Sequence, residues 1–186
     1  MDATDRNPIV IMDQAYMSRV LLRMAHQVLE RNAANQEFAF FGINQRGQYV
    51  AELLATALSS LIDKPLSVYE IEVNYQSKEA RFVDQDVPLL DHLNVLLVDD
   101  VIFSGTTMLA ALNLLLSHGE PEQLMTAALI DRGHRKLPIH CDFYGLHYPT
   151  KLDEQVFARV GDDQDGDEAE VVLVHSPYDA DSLKKN

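Results

Sequence analysis

The stretch VLLVDDVIFSGTTM, residues 95 to 108, sets two carboxylates, Asp99 and Asp100, side by side at the end of an apolar run. Ser104, Gly105, Thr106 and Thr107 follow at once. Adjacent like charges disfavour each other's ionisation, so the pair needs a ligand that donates to both. A loop between a strand and a helix offers unpaired backbone N–H groups at the helix N-terminus, where an anion is stabilised. The hydroxyls add donors, and Gly105 permits close backbone approach. This is a cradle for a phosphate. The two acids would repel the phosphate itself, but they can accept charge-assisted hydrogen bonds from vicinal hydroxyls a few ångströms away. One phosphate plus one diol describes a ribose 5-phosphate. The loop lacks the lysine and spacing of a Walker A motif and the glycine pattern of a dinucleotide fold. A receiver domain would place its paired acids and its phosphoacceptor on different strands, with a lysine further downstream.

The surrounding elements are expected to gather this loop with two others. Met17, Val20, Leu21, Met24, Val28 and Leu29 share one helical face between Asp13 and Asn32, and Asp13 is the expected N-cap. EFAFFGI (37–43) reads as a buried strand followed by the loop NQRG, then a helix from about Gln48 to Leu61. LSVYEIEV (66–73) is the next strand. Residues 74–91 are polar and irregular, too long for a simple connection, and long loops in compact domains are usually lids or binding loops. NVLLVD is a buried strand, Thr106 to His118 a helix, and Gly119 its expected C-cap with Pro121 beyond. QLMTAALI is a further strand ending in DRGHRKLP, and DFYGLHY and QVFARV are shorter ones. Strands alternating with helices, the strands nearly continuous in apolar residues, predict a parallel α/β sheet covered by helices on both faces. Ligands of such sheets bind at the carboxyl ends of the strands. NQRG, DDVIFSGTT and DRGHR all leave from that edge.

Length and composition fit one domain, 1–186, with a single core: 186 residues, 47% hydrophobic and 24% charged. The one cysteine, Cys141, excludes an internal disulfide framework and reads as a core residue. The start, MDATDRNP, has neither a basic nor an apolar signal region, and no apolar run reaches the roughly 18 residues of a membrane span. A cytoplasmic location is expected. The net charge of −14 repels nucleic acid and anionic membrane. Part of it sits in GDDQDGDEAE (161–170), which reads as a solvated loop, because its acids lack the EF-hand spacing. His92, His118, His140, His147 and His175 show no metal-ligand spacing.

With these residues in view, the stretch 95–107 resembles the phosphoribosyl-diphosphate (PRPP) binding motif of type I phosphoribosyltransferases. RMAHQVLERN, FGINQRGQYVAELLA and ALIDRGHRKLPIHCDFYG extend the resemblance, in order and spacing, to the bifunctional pyrimidine-operon attenuator and uracil phosphoribosyltransferase family, over Ile9 to Val160. DRGHRKLP is the most specific segment. The resemblance implies a parallel sheet with a small hood and a C-terminal strand pair, and transfer of phosphoribosyl from PRPP to a nucleobase, most naturally uracil. It implies Mg2+ and a homo-oligomer, a dimer or larger. It assigns Asp99 and Asp100 to the ribose diol and Phe103, Ser104, Gly105, Thr106 and Thr107 to the 5-phosphate. Gln45, Arg46 and Gly47 fall on the diphosphate loop, with Arg46 neutralising charge beside the metal. Asp131, Arg132, His134 and Arg135 are base-pocket or anion-site candidates, Asp131 also as holder of a metal-bound water.

Two places depart from the family pattern. Asn44 and Gln45 replace a more usual Lys-Thr, which removes one cation beside the diphosphate. In the mobile loop Tyr75 matches, but Gln76 and Ser77 stand where an arginine and an acid are expected; Lys78 or Arg81 is left to reach the leaving group. The alternative function is a nucleotide-sensing, RNA-binding regulator of pyrimidine genes with little or no catalysis. Its RNA face would include Arg19, Arg23 and His26, which share one side of the first helix, with Leu22 in place of the family's threonine. The net charge of −14 weighs against RNA.

Overall fold

The computed structural model describes residues 9–32, 37–151, 154–159 and 169–175. Most of the acidic run, 161–168, lies outside them, as does Val160. The elements are β1 (Ile9–Met12), α1 (Gln14–Arg31), β2 (Phe38–Ile43), α2 (Asn44–Ile62), β3 (Ser67–Val73), β4 (Ala80–Phe82), β5 (Asn94–Ile102), α3 (Thr106–Leu116), β6 (Gln123–Asp131), β7 (Phe143–His147), β8 (Glu154–Arg159) and β9 (Glu170–His175). The main sheet has the order β4-β3-β2-β5-β6-β7 and is parallel except for β4. Strand side chains alternate between faces. Phe38, Phe40, Leu96 and Val98 therefore pack with α1 and α2, while Ala39, Phe41, Val95 and Leu97 pack with α3.

This order creates a switch point. From β2 the chain moves through α2 to β3 on one side; β5, on the other side of β2, leads through α3 to β6. The carboxyl ends of β2 and β5 thus open a crevice between diverging connections, where open α/β sheets bind ligands. A smaller antiparallel sheet, β1-β9-β8, stands beside it, and Met12, Val156, Ala158 and Val171 join its inner face to the α1/α2 core. The expected C-terminal strand pair is thus three strands, the third supplied by the N-terminal IVIM. Four residues carry too little periodicity to mark a strand, and pairing with β9 makes it one.

Several boundaries differ from expectation. Asp13 caps α1 as expected, accepting the Tyr16 N–H at 2.7 Å. NQRG is not a loop but the first turn of α2, because Asn44 takes a left-handed φ of 53° and turns the chain from strand to helix with no intervening residue. The polar stretch after β3 contains β4, which forms a hairpin pairing Glu72 with Arg81. Ser117, not Gly119, caps α3, its N–H reaching the Asn113 and Leu114 carbonyls. Cys141 is largely enclosed, and burial pushes its thiol up to about 12, consistent with a core side chain.

Candidate active site

β5 carries Asp99 into the crevice at 8% exposure, with Asp100 half-buried after it. The Asp100 N–H donates to Asp99 Oδ1 at 2.9 Å. Burial first, and the adjacent Asp100 charge second, hold the Asp99 carboxyl well above the ordinary aspartate range. Gly47, in the first turn of α2, lies against it: a Cβ there would sit 2.9 Å from the Val98 carbonyl oxygen and 3.5 Å from Asp99 Oδ1. Only a residue without a side chain lets α2 begin this close to the acids.

Beyond Asp100 the chain makes the hydroxyl-rich loop 103–107. Gly105 is the N-cap of α3 at φ 84°, where a Cβ would approach Ile139 Cβ to 3.2 Å. Gly105 has no side chain to cap the helix, and the Thr106 N–H reaches Ser104 Oγ at 3.4 Å. Ser104 Oγ and Thr106 Oγ1 share a hydrogen bond at 2.9 Å, and Thr107 is half-buried behind them.

DRGHR, leaving β6, clasps the start of this loop. Arg135 Nη1 donates to the carbonyls of Phe103 (2.7 Å), Gly133 (2.8 Å) and Ile102 (3.3 Å), and Nε donates to that of Ile139 at 2.9 Å. Its Nη2 lies 2.7 Å from Asp131 Oδ1, close enough for an ion pair but out of line for a hydrogen bond. Asp131 Oδ1 also accepts the Gly133 N–H at 2.8 Å. Arg132 is buried at 8% exposure. Its Nε and Nη2 donate to Thr150 Oγ1, Nη2 also to the Glu154 carbonyl, and its guanidinium covers the Phe103 ring at 4.4 Å. Burial lowers its pKa. His134 Nε2 contacts the Thr150 carbonyl, and its ring lies 5.5 Å from that of Phe103. Of the four pocket candidates, then, Arg132 and Arg135 spend these donors inside the protein, Arg132 on Thr150 and Glu154 and Arg135 on carbonyls that include those of Ile102 and Phe103, just ahead of the loop. Thr150, which anchors Arg132 and His134, carries no signal in the sequence.

Arg46 and Gln45 are exposed in the first turn of α2, with the Arg46 guanidinium 5.4 Å from the Phe157 ring of β8. The next residue of β8, Ala158, directs its N–H to Asp100 Oδ2 at 3.4 Å. The small sheet thus overhangs both the acids and the first turn of α2, as the expected hood should. On the other side stands the β3–β4 hairpin. Tyr75 Oη accepts from Asn44 Nδ2 at 3.0 Å, Lys78 Nζ lies 5.8 Å from the Tyr75 ring, and Arg81 is ion-paired with Glu72 on the hairpin itself. Arg19, Arg23 and His26 are exposed on α1. Arg23 Nη2 donates to the Tyr144 and Gly145 carbonyls of β7, and Arg19 lies over the Tyr16 ring at 5.7 Å.

Comparison with known proteins decides the family. Residues 11–163 match the phosphoribosyl transferase domain. The chain belongs to the type I phosphoribosyltransferases. It is similar to the Bifunctional protein PyrR of Listeria welshimeri, 34% identical over 175 residues that cover 88% of this chain and 96% of that protein. The Bifunctional protein PyrR of Haemophilus ducreyi is 36% identical and covers 90% and 97%. Among solved structures, the hypoxanthine phosphoribosyltransferase of Trypanosoma cruzi superposes with a TM-score of 0.71 over 90% of this chain and 97% of that one. At 15% identity that likeness concerns the fold alone. A phosphoribosyltransferase is a glycosyltransferase, and the match spans β5, its two acids and the loop that follows.

Proposed function

We propose that the chain transfers the phosphoribosyl group of PRPP to uracil and releases diphosphate. The observation that carries this reading is the position of Asp99 and Asp100 directly ahead of the Ser104–Thr107 loop, in the crevice between β2 and β5. In this reading the two carboxylates accept from the ribose hydroxyls, while the α3 N-terminus and its hydroxyls hold the 5-phosphate. The sugar is fixed at both ends, and its C1 is turned toward the hood. A ring nitrogen of the base attacks C1 as the bond from C1 to the diphosphate oxygen breaks, through a transition state with oxocarbenium character, and the proton of that nitrogen passes to the departing diphosphate or to solvent. The protein's contribution is position and charge: Arg46, and cations of the hairpin, meet the leaving diphosphate. The overhang of β8 at Phe157 and Ala158 limits water at C1.

Magnesium fits this site as part of the substrate. Among the described residues no three His, Cys, Asp or Glu side chains gather to hold an ion. That suits Mg2+, which keeps several waters and sits on substrate phosphates with one or two carboxylates. Asp99 and Asp100 would face it, and Asp131 would reach a bound water through Oδ2, its Oδ1 being engaged. When bound, the ion neutralises charge on the diphosphate.

Uracil as the acceptor rests on the DRGHRKLP segment and the family resemblance it carries. The test is a screen of uracil, hypoxanthine, guanine, xanthine and orotate with PRPP and Mg2+, following diphosphate release. Uracil should be used best; preference for another base would overturn the assignment. A second reading, an RNA-binding regulator, is favoured by the exposed Arg19 and His26 and by relatives named as bifunctional. It ranks below the enzyme because Arg23 is turned to the carbonyls of β7 and the net charge is −14.

A further inference from the structure

The β3–β4 hairpin is tied to the strand-to-helix turn by one side chain. At the end of β2 the register pairs Ile43 with Ile71, and the backbone then leaves the ladder to begin α2. The Asn44 side chain takes over. Its Oδ1 accepts the Val73 N–H at 2.8 Å, and its Nδ2 points at the Val73 carbonyl at 3.5 Å. The amide stands in for one more peptide group of β2. The same Nδ2 donates to Tyr75 Oη at 3.0 Å. Asn44 can do this because its backbone is left-handed, a conformation asparagine tolerates better than most residues. A lysine here would have no acceptor for the Val73 N–H.

The hairpin tip is itself closed. Asn74 Oδ1 accepts the N–H groups of Gln76 (2.8 Å) and Ser77 (3.0 Å), and the Asn74 and Glu79 backbones pair at 2.9 Å. Arg81 is engaged with Glu72, so Lys78, beside the Tyr75 ring, is the cation the tip presents. The Tyr75 ring is exposed, yet its hydroxyl is enclosed enough that desolvation raises its pKa, and the charges of Asp99, Asp100 and Arg46 act on it.

Building on the phosphoribosyltransferase reading above, we propose that Asn44 is a positioning residue, a latch that holds Tyr75 and Lys78 beside the diphosphate end of the site before substrate arrives. The two departures from the family pattern, at the turn and in the loop, then belong together. A residue that gives up a cation at the turn fixes the loop whose own arginine is missing. Preorganised charge needs no reorganisation as the leaving group departs.

The test uses Asn44→Gly, which keeps the left-handed backbone and removes the amide, and Tyr75→Phe, which keeps the ring and removes the hydroxyl. In the free protein, amide exchange over residues 73–79 should speed up by about tenfold in Asn44→Gly. With PRPP, Mg2+ and the base used best, each variant should lose about five- to tenfold in kcat, while PRPP affinity changes by less than about threefold. The double variant should lose no more than the worse single one. Unchanged exchange, unchanged kcat, or losses that multiply would each overturn the latch. A wild type that binds no PRPP would count against the reading of the site instead, and the exchange measurement would still decide whether Asn44 holds the hairpin.

Discussion

Gly47→Ala tests whether the close approach of α2 to β5 builds the site. The new Cβ would lie 2.9 Å from the Val98 carbonyl oxygen and 3.3 Å from Asp99 Cα, where ordinary contact begins at 3.4 Å. Both neighbours are backbone, so no rotamer change relieves the clash. The first turn of α2 must retreat by about half an ångström, an overpacking cost of about 1–3 kcal/mol. For a chain of this size that lowers the melting temperature by about 2–12 °C. The same retreat moves Arg46 and the wall against Asp99, which should weaken PRPP binding by about tenfold. Differential scanning calorimetry and PRPP titration, run on the same preparation, read both effects. An alanine variant with the melting temperature and PRPP affinity of wild type would refute the reasoning, since a Cβ could not then be meeting the β5 backbone.

Asp99→Asn should raise stability while it destroys function. The native state holds the Asp99 proton more tightly than the unfolded chain, so wild-type stability declines as pH rises from the unfolded value, near 3.8, through the raised native one. The asparagine variant escapes that decline, and its advantage in melting temperature should widen over the window and then level off; a gap independent of pH would contradict this. Arg135→Lys should cost at least about 2 kcal/mol in urea unfolding and weaken PRPP, because an ammonium cannot span the carbonyls of Ile102, Phe103, Gly133 and Ile139. A variant as stable as wild type would remove Arg135 from the clasp. Lys78→Ala should slow turnover well beyond Arg81→Ala, because Arg81 is already paired with Glu72; the reverse order would show that the pair opens in the working enzyme.

The main sheet was legible because its strands are apolar on both faces and its helices carry a clear stripe, so period and length together mark β2, β5 and β6. The placement of the two acids and the hydroxyl-rich loop between β5 and α3 was legible for a different reason: an apolar run ending in carboxylates, then hydroxyls and a glycine ahead of a helical stripe, marks a strand-to-helix turn. What escaped was set by partners distant in sequence. IVIM is a strand only through β9, and ARF only through Glu72 and its neighbours. Arg132 and Arg135 look like free pocket cations in DRGHR, since nothing in that segment announces Thr150 or the carbonyls they reach. Asn44 looked like a lost lysine. Its one visible signal was its place immediately after a buried strand and ahead of a helical run, where a left-handed residue saves the connecting loop.

The central claim is that Asp99 and Asp100 hold the ribose of PRPP. Titration calorimetry with PRPP and Mg2+, comparing wild type with Asp99→Asn/Asp100→Asn, tests it most directly. Each charged acceptor lost from a sugar hydroxyl should cost about 1.5–3 kcal/mol, so the double variant should bind at least about a hundredfold more weakly. Circular dichroism and a melting temperature at or above wild type would show that its fold is intact. The account predicts a folded protein without detectable PRPP binding. A folded double variant that binds PRPP as tightly as wild type would contradict it.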